Sequence, residues 1–144
     1  MNFIILFIIR AASSFAASFT GAVFCNVEKR CLFLCGMGGA VGFLTYEYSL
    51  FFFEEWTATF LGAVTIALLS ETAARFKKVP ATIFIIPAIF TIVPGISAFR
   101  TTLAVAERNF DIALTRGIET VFCAGALAFG LLLVSAFTQL YWTK

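Results

Sequence analysis

The sequence predicts an all-α, polytopic integral membrane protein with about five transmembrane helices, or four as the alternative, the fourth being broken at Pro94-Gly95. Two observations predict this class. Of the 144 residues, 61% are hydrophobic and 12% are charged, about half of the roughly 25% charged residues in an average soluble domain. The hydrophobic residues also form stretches of about 20 residues, the length that a helix needs to cross a bilayer. A soluble globular protein and a disordered tail are therefore excluded, and residues 1–144 are expected to form a single transmembrane domain in the lipid bilayer.

Five apolar stretches follow one another along the chain. The breaks between them are short and carry most of the charge, so no soluble domain fits between them. The first stretch has no basic residue before its apolar run, which argues against a cleaved signal peptide, although this alternative stays open. The predicted spans are Phe3 to Phe24, Cys31 to about Leu50, Trp56 to Phe76, Ala81 to about Ala106, and Ile118 to Trp142.

The distribution of Lys and Arg predicts the orientation, because these residues concentrate in cytoplasmic loops. The first loop has Lys29-Arg30, the third has Arg75 to Lys78, and the second has Glu54-Glu55 and no basic residue. The first and third loops are therefore expected in the cytoplasm, with the N-terminus outside and Lys144 inside. The fourth loop would be external although it carries two arginines. An interfacial helix over residues 104–116, a re-entrant fourth stretch or a four-span count would account for this.

Small residues recur four positions apart, a spacing that lets helix backbones approach closely in lipid. We expect these pairs to pack within the chain, and contact with a second subunit is the alternative. The pairs are Ala12 and Ala16, Ala17 and Gly21, Gly38 and Gly42, Ala58 and Gly62, Ala63 and Ala67, and Ala126 and Gly130.

The fourth stretch holds the strongest functional signal. Proline removes a backbone donor and glycine tolerates φ values that other residues avoid, so Pro94-Gly95 should break the helix. Broken backbone at membrane depth must be buried in protein or line a wet cavity, and half-helix ends bind substrate groups and ions in transporters. A cation and hydroxyls beside free helix amides suit a carboxylate. The alternative is a proline kink with Arg100 snorkelling to the surface. The candidate substrate-binding residues are Thr91, Pro94, Gly95, Ser97, Arg100 and Thr101.

Three other ionisable residues lie within or beside the apolar spans, namely Arg10, Glu71 and Glu119. Ionisable groups in a membrane are costly, so each is a candidate for coupling or for an ion pair. Glu71 precedes Arg75 by four residues, a spacing that favours an interfacial ion pair. Arg10 lies deep enough in the first span to need a partner or a cavity. Glu119 is expected to face lipid headgroups, and its alternatives are a pair with Arg10 or Arg100, or a role as proton carrier.

Common catalytic and cofactor-binding motifs are missing from the sequence. Without histidine there is no Ser-His-Asp or Cys-His set, and there is no Walker loop or G-x-S-x-G elbow. The four cysteines lack C-x-x-C spacing, which argues against a metal or redox site. A net charge of +2 and the lack of a basic run interleaved with aromatics argue against a nucleic-acid partner. We therefore expect no enzyme activity, no cofactor, no metal and no nucleic acid.

The order of these features resembles the small, YjjB-like subunit of the threonine/serine exporter (ThrE) family, which corresponds to the C-terminal half of the single-chain members. The resemblance covers nearly the whole chain. It rests on Phe24-Cys25-Asn26-Val27, on the glycine cluster from Gly36 to Gly42, and above all on the run from Ile86 to Ala98 with its Pro-Gly-Ile-Ser-Ala core. The resemblance implies a half-transporter that exports small amino acids such as threonine and serine, or a dicarboxylate such as succinate. It also implies a larger, separately encoded membrane subunit as partner.

The predicted function is therefore that of a membrane subunit of a secondary exporter for a small carboxylate-bearing substrate, in the inner or plasma membrane of a bacterial cell. A proton or ion gradient is the expected energy source, because the sequence has no nucleotide-binding motif. Two other classes stay open. The first is a non-transporting scaffold or assembly subunit, and the second is a small homo-oligomeric channel.

Overall fold

The computed structural model describes residues 3–142 of the chain, with side chains over residues 5–140. Within residues 3–142 the chain is all-helical, as predicted, and no strand is formed. The helices are α1 (Phe3–Phe24), α2 (Lys29–Ser49), α3 (Glu55–Lys77), α4 (Thr82–Ile89), α5 (Gly95–Ala106) and α6 (Phe110–Trp142).

Three helices of the described residues are long and apolar enough to cross a membrane, at Ile5–Phe24, Glu55–Lys77 and Phe110–Leu140. The predicted count of five is therefore not confirmed. Helix α2 has sufficient length at 21 residues, but its glycines and its polar last turn lower its hydropathy. Helices α4 and α5 have 8 and 12 residues and are each too short to span. That α4 and α5 together form one span stays a prediction.

The two basic loops lie at the same end of the helix bundle. A buried apolar cluster at this end joins Ala22 of α1, Cys31 and Cys35 of α2, Ala74 of α3 and Phe84 of α4. These residues flank the α1–α2 and α3–α4 connections, so both connections meet there. We call this the basic end.

The opposite end of the bundle, where α2 turns into α3 at Glu54-Glu55, is called the acidic end below. Helices α2 and α3 run antiparallel between the two ends, since Gly42 faces Ile66 and Tyr46 faces Gly62. This arrangement agrees with the predicted grouping of the loops. Which end faces the cytoplasm stays a prediction, and Lys144 lies outside the described residues.

Helix α6 runs parallel to α3. The rings of Phe60 and Phe129 stack with their centroids 6.0 Å apart, and further along both helices Gly130 lies against Ala63. The N-terminal part of α6 is therefore at the acidic end. Helix α6 begins at Phe110 rather than at Ile118 as predicted, because Asp111 and Arg116 interrupt the apolar run in its first two turns.

The predicted break in the fourth stretch coincides with an interruption between α4 and α5. Helix α4 ends at Ile89 and α5 begins at Gly95, so residues 90–94 are non-helical and the interruption starts before Pro94. Pro94, with φ −74° and ψ 54°, is the central residue of an inverse γ-turn, and the Gly95 N–H donates to the Val93 carbonyl at 2.7 Å. No described glycine has a positive φ, so Gly95 does not use the additional φ values that glycine tolerates.

The segment from Ala104 to Arg116 does not form a separate interfacial helix. Its first residues end α5, a turn at 107–109 reverses the chain, and its last residues belong to α6. Arg108 has a φ of 58° in this turn, and the Asn109 N–H donates to the Ala104 carbonyl at 2.9 Å. Helices α5 and α6 therefore form an antiparallel hairpin, in which Thr101 packs against Gly117.

Glycine brings α1, α2 and the interruption into close contact. A Cβ added at Gly39 would lie 2.3 Å from the Ser18 Cβ of α1 and 3.3 Å from the Thr91 methyl carbon. The Thr91 hydroxyl is 3.3 Å from the Gly39 carbonyl, to which it donates. The start of the interruption is thereby held against the middle of α2.

Candidate functional site

A cavity of about 330 Å³ lies beside the interruption, toward the acidic end. Residues from α2, α3, the interruption, α5 and α6 form its wall, and we call it the break cavity. Its lining residues are Phe43, Tyr46, Glu55, Thr59, Thr91, Ile92, Val93, Pro94, Ile96, Ser97, Arg100 and Arg116.

Four of the six candidate substrate-binding residues line this cavity, namely Thr91, Pro94, Ser97 and Arg100. The other two lie outside its lining. Gly95 is exposed, and a Cβ added there would meet no atom within 4 Å. Thr101 donates its hydroxyl to the Ser97 carbonyl at 2.9 Å. Thr101 therefore helps to fix α5, and Gly95 starts it.

The interruption leaves backbone donors free next to the cavity. Proline has no N–H, the Gly95 N–H is used in the γ-turn, and the Ala98 N–H donates to the Pro94 carbonyl at 3.1 Å. Within the described chain, the N–H groups of Ile96 and Ser97 have no backbone acceptor. Both residues line the cavity, at the N-terminus of α5, where free amides and the helix dipole favour an anion.

Two guanidinium groups and one carboxylate line the cavity, since Arg100 is joined there by Arg116 of α6 and by Glu55 of α3. The α5–α6 hairpin brings the two arginines together, because both lie equally far along the chain from Arg108 in its turn. Sequence reasoning missed Arg116 and Glu55 by assigning both to loops. The spacing of Arg116, Glu119 and Cys123 along one helical face is the signal that could have placed Arg116 in a helix.

Comparison with known families matches residues 10–137 to the family described as Threonine/Serine exporter, ThrE. The chain belongs to this family. The match begins within α1 and ends within α6, so it contains the whole break cavity, and the resemblance seen in the sequence is confirmed. No solved structure matches the chain.

Membership of the ThrE family identifies the chain as a membrane component of the threonine/serine exporter type. Its apolar helices agree with a membrane location. Members of this family are transporters rather than enzymes.

The remaining ionisable candidates lie in three different surroundings. Arg10 of α1 pairs with Glu47 of α2 at 2.5 Å, so it has the partner that its depth required. Glu119 pairs with Arg116 at 3.2 Å, rather than with Arg10 or Arg100. Glu71 is half-buried in α3, and its ion pair with Arg75, one helical turn further along, stays a prediction. A role in coupling stays a prediction for all three.

A second cavity, of about 520 Å³, adjoins the break cavity between α3 and α6. We call it the α3–α6 cavity. Glu55 and Arg116 line both cavities and form part of the boundary between them. The other residues of the α3–α6 cavity are Glu54, Trp56, Ile118, Glu119, Phe122 and Cys123.

Proposed function

We propose that this ThrE-family chain is one subunit of a secondary exporter for a small carboxylate-bearing substrate, such as threonine, serine or a dicarboxylate like succinate. It works with a larger membrane subunit as a multi-pass protein of the bacterial plasma membrane. The observation that carries the proposal is the break cavity, in which two guanidinium groups and two free backbone amides lie beside an interrupted helix.

These groups suit a carboxylate for two physical reasons. Guanidinium groups bind carboxylates through two parallel, charge-assisted hydrogen bonds. Free amides at a helix N-terminus add donors and a favourable dipole. The volume of about 330 Å³ is at the lower end of the roughly 300–1,000 Å³ of small-molecule pockets. A metabolite of a few heavy atoms fits such a space.

The need for a partner is supported by the exposure of residues that line the cavity. Ile96 and Val93 line it, yet their exposed fractions are 71% and 49%. Arg100 and Arg116 are exposed as well. A site for a charged substrate inside a membrane must be shielded from lipid tails. A second polypeptide over this side of the chain would complete the wall.

The proposed energy source is a proton or ion gradient. Glu119 is a candidate carrier of the coupling proton, because it lies next to the break cavity and its partner Arg116 lines that cavity. Protonation of Glu119 would weaken this ion pair and leave Arg116 free to bind an anion. This mechanism links the coupling proton to the substrate through one arginine.

The proposal is tested by export measurements in cells that express the chain with its larger partner. Once the second polypeptide covers the cavity, the contact of Arg100 with a substrate carboxylate would be buried, and removing one partner of a buried charge pair costs roughly 2–5 kcal/mol. We therefore expect Arg100→Gln to reduce the export rate by about 30-fold or more per membrane-resident protein. Arg108→Gln, in the α5–α6 turn and outside both cavities, is the matched control. Pro94→Ala should also reduce export, because it restores a backbone donor at the interruption.

The other function classes give different results in the same experiment. Near-normal export in both Arg100→Gln and Pro94→Ala would favour a scaffold or assembly subunit. Conductance from the purified chain alone, without a second polypeptide, would favour a homo-oligomeric channel. Either result would overturn the proposed half-transporter.

A further inference from the structure

Glu55 is the single acidic side chain among the lining residues of the break cavity, where it joins two arginines. A cavity built for an anion alone has no need of a carboxylate, because a fixed negative charge weakens the attraction of the guanidinium groups. The position of Glu55 therefore calls for a second role, distinct from binding a carboxylate.

The carboxylate of Glu55 is not neutralised by a neighbour. Across the side chains that the structure describes, neither Glu55 nor Arg100 forms an ion pair within 4.0 Å. Arg116 is paired with Glu119. The Thr59 hydroxyl donates to the backbone carbonyl of Glu55 at 2.7 Å and leaves its carboxylate free. Glu55 thus has acceptor capacity to offer a ligand.

Glu55 lies where its free carboxylate can favour some ligands over others. Glu55 is a wall residue of both the break cavity and the α3–α6 cavity, so a ligand that reaches the boundary between the cavities meets its charge. A dicarboxylate there would bring a second anion against a fixed anion, an arrangement that complementarity disfavours. An ammonium group beside the carboxylate of the same ligand would instead meet an opposite charge.

We propose that Glu55 is the specificity-determining residue of the break cavity, where it binds the ammonium group of a zwitterionic α-amino acid while Arg100 binds its carboxylate. This proposal rests on the proposed function. It assigns selection against dicarboxylates and hydroxy acids to a single side chain, at the first residue of α3. Its prediction is a preference for ligands that carry an ammonium group and a carboxylate on the same carbon atom.

The test uses membranes that contain the full chain together with its larger partner. Binding of radiolabelled L-serine is measured, with L-glycerate, serinol and succinate as competitors. L-glycerate replaces the ammonium of serine by a hydroxyl, and serinol replaces the carboxylate by an alcohol. The intact protein should bind L-serine at least about tenfold more tightly than L-glycerate, a difference of about 1.4 kcal/mol.

Three variants separate the role of Glu55 from a structural one. Glu55→Gln should weaken L-serine binding by about tenfold or more and leave L-glycerate binding unchanged or tighter. Glu55→Asp keeps the charge and should retain the preference for L-serine. Glu107→Gln, in the α5–α6 turn and outside both cavities, should behave like the unmodified chain.

The possible failures are distinguishable from one another. If L-serine, L-glycerate and succinate all fail to bind the unmodified protein, the proposed function is wrong and this inference falls with it. If L-serine and L-glycerate bind equally well, or if Glu55→Gln weakens both to the same extent, the role of Glu55 alone is overturned. The comparison of ligands on the unmodified protein decides the matter even where Glu55→Gln does not fold.

Discussion

Replacing Gly39 by alanine is expected to loosen the contact that holds the interruption against α2. The added Cβ would lie 2.3 Å from the Ser18 Cβ and 2.5 Å from its hydroxyl oxygen, far inside normal contact distance. Overpacking of this kind costs about 1–3 kcal/mol. Ser18 is fully buried and donates to the Cys35 carbonyl at 2.7 Å, and leaving a buried hydroxyl unpaired costs about 1–3 kcal/mol more. Alanine regains about 1 kcal/mol of helix propensity over glycine, so we expect a net loss of about 1–5 kcal/mol.

The assay is a thermal melt in detergent, followed with a thiol-reactive fluorophore that labels cysteines as they become exposed. Gly39→Ala should melt about 3–15 °C below the unmodified chain. Gly125→Ala is the matched control, because its Cβ would meet no atom within 4 Å and it should melt at or above the original temperature. Adding Ser18→Gly to Gly39→Ala removes the clashing atoms and should recover part of the loss. Equal melting of the two single variants would refute the close α1–α2 crossing. The buried reporter residues are Cys31, Cys35 and Cys123.

Two further predictions follow from the ion pair of α1 and from the two ends of the bundle. Arg10→Leu and Glu47→Leu should each lower the melting temperature, and the double variant should lose less stability than the sum of the two. The expected coupling energy is about 1 kcal/mol, because the two side chains are 44% and 20% exposed. Strict additivity would show that the pair contributes nothing. In a cysteine-free background, a single cysteine at position 54 should react with an impermeant reagent added outside the cell. A single cysteine at position 29 should react only from the cytoplasm. Labelling of position 54 from the cytoplasm alone would refute the predicted orientation.

The elements that the sequence predicted well are those with a local physical cause. The first helix has the predicted bounds from Phe3 to Phe24, because a predominantly apolar stretch of span length can satisfy its backbone in lipid only as a helix. The break predicted at Pro94-Gly95 falls at the end of the interruption, which already begins at residue 90, and that α4 and α5 form one broken span stays a prediction. Hydropathy predicts the start of α6 at Ile118 instead of Phe110, because Asp111 and Arg116 interrupt the apolar run before it.

The candidate site could be predicted only in part. Thr91, Ser97 and Arg100 were found from their closeness to Pro94 along the chain. Glu55 and Arg116 reach the cavity through tertiary structure, namely the parallel packing of α3 on α6 and the reversal of the chain after α5. Neither contact has a local signature in the sequence. The sequence therefore indicates the cavity residues near Pro94, but not those that α3 and α6 contribute to the other side of the cavity.

At the interruption the chain stops packing against the helix bundle and starts packing against α6, and this change creates the cavity. Of the described helices, α4 packs against α1, α2 and α3, whereas α5 packs against α6. Ala88 and Ile92 are buried in the bundle with Ala63 and Ile66, while Ile96 is largely exposed. A continuous helix from Thr82 to Ala106 would keep one direction and would not change its packing partners.

Because the chain leaves the bundle at residues 90–94 to join α6, a gap remains between α2, α3 and the α5–α6 hairpin. The helix end with its free amides lies in that gap, together with the arginines that the hairpin brings there. The same backbone feature therefore accounts for the space, the donors and the charges of the proposed site.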